Sequence, residues 1–258
     1  MPDLKISVVT AVYNGEATVG HAIASVASQT YPHVEHIIVD GKSSDGTMAA
    51  IEAAKHDRMR VISEPDKGIY DALNKGIGLA TGDVVGFLHS DDFLAHPDAL
   101  AEFAKPFSDP EVEAVFSDLH YVAKDDGDRV IRHWATGPFS PAKLRRGWMP
   151  AHPTLFVRRE VYERHGVYDT GYRSAADYDF ILRYFSQLKG RTVYIPQVLY
   201  KMRVGGVSNR DLKRILLKSR EDLRALRHNR VGGIGALAWK NLSKIGQFAA
   251  RKRADRIK

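Results

Sequence analysis

The sequence predicts an α/β fold: a Rossmann-like, mostly parallel sheet flanked by helices, followed by a C-terminal helical tail. Three observations predict it. The first 118 of the 258 residues alternate short β-branched runs with helical patterns, the signature of successive βαβ units. The apolar runs end in acidic residues, Asp40, Glu64 and the Asp91/Asp92 pair, and this order places those carboxylates at one edge of the sheet. In open α/β sheets that edge is where ligands bind. From residue 211 on, the pattern changes to two striped, basic helices.

KISVVTAV (5–12) reads as a buried strand, and Val19, Ile23 and Val26 set a helical spacing within the segment 15–30. VEHIIVD (34–40) is a second strand, and SDGTMAAIEAAK (44–55) a helix opened by Ser/Asp capping chemistry. MRVISE (59–64) is a third strand before a helix around 70–80, and DVVGFLHS (83–90) a fourth that runs straight into Asp91 and Asp92. After Pro97 a helix reaches about Phe107, then EAVFSDLHYV (113–122) and RVIRHWA (129–135) read as strands of a second, mixed part of the sheet. GPFSPAKLRRGWMP (137–150) is rich in Pro, Gly and basic residues and reads as a long loop. A strand and short helix follow over 154–166, a helix with one broad apolar face over 175–188, and closing strands over 191–204. Residues 1–210 therefore form one expected unit, divided at about 118 between its first βαβ part and its second, mixed part, with 211–258 as a basic amphipathic tail.

Composition narrows the function classes. With 44% hydrophobic and 27% charged residues the chain is ordinarily globular, and with no cysteine it has no disulfide, thiolate zinc site or cysteine nucleophile. Its net charge of +7 is uneven. Residues 211–258 hold 14 Lys/Arg against 4 Asp/Glu, a net of +10, which leaves 24 against 27, or −3, for residues 1–210. A nucleic-acid reader would carry its charge on the folded module, so no nucleic-acid partner is expected. No secretory signal is visible in the opening residues and no apolar run approaches the roughly 20 residues that cross a bilayer, so the expected location is cytoplasmic.

Chemistry concentrates in the carboxylates. Asp40 can accept hydrogen bonds from a base or ribose, while Asp45, after Ser44, serves equally well as a helix cap. In HSDDF (89–93) two adjacent carboxylates repel, and a cation or several donors must offset that repulsion. Oxygen ligands of this kind suit Mg²⁺ or Mn²⁺ shared with a diphosphate. Helix capping near Pro97 is the plainer alternative.

Taken together, VVTAVYNG (8–15), IIVDGKSSDGT (37–47), SEPDKGIYDALNKGIGLATGD (63–83), FLHSDDF (87–93) and SAADYDFILR (174–183) resemble glycosyltransferase family 2, of the GT-A fold, in the family's order over about 5–207. The resemblance implies an enzyme of bacterial surface-polysaccharide assembly. It implies that Thr10, Ala11, Tyr13 and Asn14 line the nucleotide pocket and that Asp40 holds the base or ribose. Asp92 becomes the principal metal ligand, Asp91 lies beside the sugar or ribose, and Asp177 is the general base. Two positions depart from the family. Ala176 stands where many relatives have Glu, which leaves Asp177 and Asp179 as candidate bases. Leu73 stands where many carry an Arg toward the diphosphate, a charge that Lys67, Lys75 or Arg203 can supply.

The implied reaction is inverting and metal-dependent, from a nucleoside diphosphate sugar, UDP-linked by expectation, to a glycan or lipid-linked acceptor. Asp177 and Asp179 diverge on a helix, which favours Asp177 as the base. His152 is a candidate for acceptor or leaving-group contact against the commoner structural role of a lone His, and Trp148 a candidate for stacking on a sugar against simple packing. Arg203 precedes a glycine pair that lets a loop close over the diphosphate. The tail either lies on an anionic membrane at the inner face or packs on the catalytic unit. Two rivals stand beside this reading: a nucleotidyltransferase, which would want a Gly-rich basic loop after the first strand, and a non-enzymatic membrane-surface binder driven by the tail. Deleting 211–258 is expected to leave nucleotide and metal affinity in the enzyme, whereas a binder would lose its activity.

Overall fold

The computed structural model describes residues 4–204 and 212–243. The glycine pair after Val204, the Ile215 side chain, and Lys244, Ile245, Phe248 and the Arg251 to Arg253 cluster lie outside the described residues. Strands β1 (Ile6–Val12), β2 (Val34–Asp40), β3 (Met59–Ser63) and β4 (Val84–Phe87) alternate with helices α1 (Val19–Ala27), α2 (Thr47–Ala53) and α3 (Ile69–Leu79). All seven residues of β1 are buried, as befits a central strand covered on both faces. It pairs in parallel with β2 and β4, and β2 in parallel with β3. Gly76 of α3 faces Val9 so closely that a Cβ there would clash with its methyls, which sets the helix tight on the sheet.

Beyond β4 the sheet becomes mixed. Strand β8 (Phe156–Arg158) runs antiparallel to β4 and β6 (Val112–Val122), β6 parallel to β9 (Arg191–Arg203), and β7 (Val130–Trp134) antiparallel to β6. The expected closing strands are one 13-residue strand, with Pro196 at the register break between Ile195 and Val198, where a missing N–H costs no ladder bond. A two-residue strand unforeseen from sequence, β5 (Phe93–Leu94), pairs antiparallel with Lys201 and Tyr200 of β9. It ties the residues after the acidic pair to the far side of the sheet.

The remaining helices are α4 (Ala99–Ala104), α5 (Pro141–Leu144), α6 (Arg159–His165), α7 (Ala176–Phe185), α8 (Leu212–His228) and α9 (Ile234–Ser243). The segment 137–150 is not the structureless loop expected. Ser140 caps α5 by accepting from Lys143 N, and Trp148 packs with Phe116, Phe139 and Phe185. The described tail packs on the catalytic fold: Ala225, Leu226 and Ala236 are buried, and Lys240 pairs with Asp222 at 2.8 Å with both side chains 4% exposed.

Candidate active site

The β1–α1 and β2–α2 loops are laced together at the ends of their strands. Asn14, in left-handed conformation (φ 50°), receives Ser44 N on Oδ1 at 2.9 Å and donates its own N–H to Ser43 Oγ at 2.8 Å. Gly15 N donates to Thr47 Oγ1, and Gly46 N to Glu16 Oε2. Asp45 Oδ1 accepts from Thr47 N at 3.0 Å, one residue ahead of Gly46, the N-cap of α2. These loops wall a cleft of about 420 Å³ lined by Asn14, Glu16, Thr18, Asp45, Asp91, Lys124 and Arg203, among others. Tyr13 is 64% exposed, and its ring and Asp66 crowd the Cα of Gly41, where any side chain would collide with the Asp66 carboxylate.

Several expected ligand residues are turned inward. Thr10 is buried with its hydroxyl 2.9 Å from His36 Nε2, and Ala11 belongs to the core. Asp40 is fully buried, its oxygens taken by Ser43 N and the Ser63 hydroxyl (2.6 Å), so it braces the β2–α2 turn. Trp148 spends its indole N–H on Thr136 O at 2.9 Å inside the aromatic cluster, which is the packing role and not an open stacking platform. Lys67 is exposed at the turn before α3 and does not line the cleft. Lys75 is engaged by Glu64 at 2.8 Å, and Leu73, at the position where many relatives carry an Arg, is core.

The acidic pair divides sharply. Asp92 has no exposed surface; Tyr200 Oη donates to its Oδ2 at 3.2 Å and Arg203 N to its Oδ1 at 3.0 Å. Burial, then the neighbouring Asp91, raises the Asp92 pKa well above the usual carboxylate range. Asp91 instead lines the cleft, and the Arg203 guanidinium holds the Asp91 carbonyl at 2.7 Å. The same guanidinium lies over Phe93, 4.6 Å from the ring centroid, and contacts His21 Nδ1 at 3.0 Å. Of the expected pair, Asp92 is thus sealed behind β9 with both oxygens hydrogen-bonded, while Asp91 faces the cleft. Among the described residues no three His, Asp or Glu side chains converge as a metal cage. A hard divalent cation shared with a diphosphate needs only one or two protein carboxylates, and Asp91 fits that demand.

A second polar cluster adjoins the first. Asp177, in the first turn of α7, accepts from Tyr70 Oη at 2.9 Å on Oδ1 and meets His152 Nδ1 at 3.2 Å on Oδ2. Burial pushes the Asp177 pKa up, but His152, Lys218, Lys240 and the Tyr70 hydrogen bond outweigh it and hold the carboxyl below its ordinary value. Burial lowers the His152 pKa to about 4, against the pull of Asp177. His89 stands edge-on to His152 at 5.8 Å between centroids, and burial lowers its pKa although both Asp91 and Asp177 raise it. His89 therefore links the two clusters. Asp179 points away from this cluster to Asn229 Nδ2 at 2.8 Å, so the divergence expected from i,i+2 spacing is realised. Glu221 of α8 accepts from Arg173 N (2.9 Å) and Ser174 N (2.7 Å), fixing the approach to α7. His89, Tyr70, Tyr200, Lys124 and Glu221 were not singled out from sequence. The first two lie inside quoted motifs, whereas Tyr200, Lys124 and Glu221 reach the site only through tertiary contacts.

A mixed sheet of this order with its polar residues gathered at the strand ends is the fold of GT-A glycosyltransferases. The chain superposes on Staphylococcus aureus TarS residues 1–349 in complex with UDP-GlcNAc with a TM-score of 0.70 at 17% identity, covering 88% of this chain and 66% of that one. It also superposes on the mannosyltransferase PcManGT from Pyrobaculum calidifontis in complex with GDP-Man and Mn²⁺, with a TM-score of 0.64 at 20% identity, covering 97% and 76%. The chain belongs to glycosyl transferase family 2, whose family model matches residues 7–166. A PGL/p-HBAD biosynthesis glycosyltransferase of Mycobacterium tuberculosis is 34% identical over 220 residues, 82% of each chain. The O-antigen biosynthesis protein RfbC of Myxococcus xanthus is 34% identical over 215 residues, 79% of this chain and 16% of that protein. The chain is a glycosyltransferase, which sets aside the nucleotidyltransferase and the non-enzymatic binder.

Proposed function

We propose that the protein is an inverting, metal-dependent glycosyltransferase that moves a sugar from a nucleoside diphosphate sugar, UDP-linked, to a lipid-linked or glycan acceptor in cell-surface polysaccharide synthesis. The observation that carries this is the adjacency of two unlike clusters: the Asp91 and Arg203 cleft, suited to a diphosphate, and the Asp177–His152 pair, suited to a proton transfer, joined by His89. Tyr13 and Asn14 offer surface to the nucleotide, while Asp40, Thr10 and Ala11 support the pocket from behind. Asp91 would hold Mg²⁺ or Mn²⁺, which when bound neutralises leaving-phosphate charge. Arg203 and Lys124, both lining the cleft, add fixed positive charge on the same leaving group. At the other cluster the acceptor hydroxyl gives up its proton as it attacks. One direct displacement needs no protein nucleophile and inverts the anomeric centre. The test is a panel of UDP-, GDP- and dTDP-sugars with and without Mn²⁺. A thermal shift by a UDP-sugar that needs the metal supports the reading, and no shift by any nucleotide sugar defeats it.

The membrane part of this proposal rests on α9. Its outward face carries Ile234 (67% exposed), Ala238, Trp239 (53%) and Leu242 (60%), and exposed Arg145 and Arg146 flank it, with Arg146 over the Trp239 ring at 5.8 Å. An apolar stripe edged by arginines complements an anionic bilayer surface. No helix among the described residues is long and apolar enough to span a membrane, so contact would be peripheral. Since α9 abuts 137–150 at Gly147, such contact brings the segment leading to His152 toward a lipid-linked acceptor.

A further inference from the structure

Three tail residues bracket Asp177 in sequence. Glu221 of α8 accepts from Arg173 N and Ser174 N, Asn229 donates to Asp179, and Lys240 of α9 sets its ammonium 3.2 Å from the centroid of the Tyr178 ring. Lys240 is the least expected of the three. It forms an ion pair with Asp222 at 2.8 Å, both side chains are buried, and Asp222 Oδ1 finds no hydrogen-bond partner among the described residues. Two charges taken out of water stabilise a fold only when their remaining polar atoms are satisfied, and a well-packed apolar pair does as well or better. Stability alone therefore gives no reason for a lysine here, whereas its placement does. The Tyr178 hydroxyl is buried with no hydrogen-bond partner among the described residues, so the tail bears on this ring through the cation at its face. The root of Lys240 is fixed as well: a side chain at Gly147 (φ 82°) would collide with Ala236 O and Lys240 Cβ, so α9 lies directly on the segment that leads to His152. Burial raises the Asp177 pKa, and Lys240 joins His152 and Lys218 among the groups that outweigh it, which favours the ionised form a base needs. Lys240 lies outside residues 7–166, which the family model matches. Resting on the glycosyl-transfer reading above, with Asp177 as the carboxylate that takes the acceptor proton, we propose that Lys240 is a positioning residue for the transfer: from α9 it seats Tyr178 and so holds the first turn of α7 with Asp177 in place.

The test uses the full chain. Lys240→Met alone strands the buried Asp222 charge and endangers folding, so the informative variant is Lys240→Met with Asp222→Leu, which removes both charges and should melt no lower than the wild type. Release of UDP from a UDP-sugar with Mn²⁺, with water as acceptor, should fall about 10²-fold in kcat, the scale of a misplaced catalytic group, with KM for the donor unchanged. In an Asp177→Asn background the same two substitutions should lower the rate no further, because the group they position is gone. Wild-type turnover in the folded double variant, or an equal loss in the Asp177→Asn background, overturns the proposal. Hydrogen exchange read by mass spectrometry should be faster over 175–180 in the double variant, and unchanged exchange there also overturns it. Failure of any UDP-sugar to bind the wild type would instead defeat the donor reading, and exchange over 175–180 would still decide whether Lys240 holds the helix.

Discussion

The backbone N–H of Arg203 donates to Asp92 while the Arg203 side chain holds the carbonyl of Asp91, at 3.0 and 2.7 Å. One residue of β9 thus fixes both members of the acidic pair and points the second inward and the first outward. Asp92→Asn should therefore keep donor affinity within a few fold. Because the folded Asp92 pKa is raised, its proton is held more tightly folded than unfolded, and its contribution to stability declines as pH rises from about 4 toward the raised value. Melting curves from pH 4 to 8 should show the wild type losing stability relative to Asp92→Asn over that range.

Arg203→Ala should weaken donor binding by about tenfold or more, the scale of one charge-assisted bond to a diphosphate. It also releases the Asp91 carbonyl and uncovers Phe93. Calorimetric titration of the donor checks this, and Arg203→Lys should recover only part, since a single ammonium cannot hold the carbonyl, His21 and the ring together.

Glu221→Ala should destabilise the fold by about 1–3 kcal/mol, because two backbone N–H groups lose their shared acceptor. Turnover should fall more than donor affinity, as Glu221 positions α7 and hence Asp177 and not the nucleotide cleft. For the same reason deleting 211–258 should damage the folded enzyme and not merely detach a tail.

Acid should destabilise the protein below pH 6.5. His36, buried and bonded to Thr10, is lowered to about 3, and His120 and His152 to about 4, by burial. Each binds its proton less well folded than unfolded, so stability present above 6.5 is lost as pH falls toward those values. Chemical denaturation at pH 7, 5.5 and 4.5 measures the decline.

Replacing Ile234 and Leu242 together with Ser should reduce sedimentation with phosphatidylglycerol vesicles and leave melting temperature nearly unchanged, because both side chains face solvent. Equal binding to phosphatidylcholine vesicles would contradict the role of Arg145 and Arg146.

Most of the sheet was legible because β1, β2 and β4 are buried on both faces and announce themselves as apolar runs. The short β5 was not, since two residues carry no period and their pairing with Tyr200 spans over 100 positions. The residues of the site were largely named, but their orientation was hidden. Which of Asp91 and Asp92 faces the cleft depends on β9, and the pairing of Asp177 with His152 depends on how α7 meets the 3-10 turn His152–Thr154. Such choices are made by tertiary contacts that no local pattern encodes. Trp148 shows the converse: aromatic content in a Pro/Gly-rich stretch suggested a ligand platform, and packing against Phe185 claimed it.

The most direct test of a donor cleft built on Asp91 beside a proton-transfer pair at Asp177 is calorimetric titration of UDP-sugars with Mn²⁺ into wild type, Asp91→Asn and Asp177→Asn. The expected result is metal-dependent binding that Asp91→Asn abolishes and Asp177→Asn keeps. Equal affinity in the wild type and Asp91→Asn would contradict it.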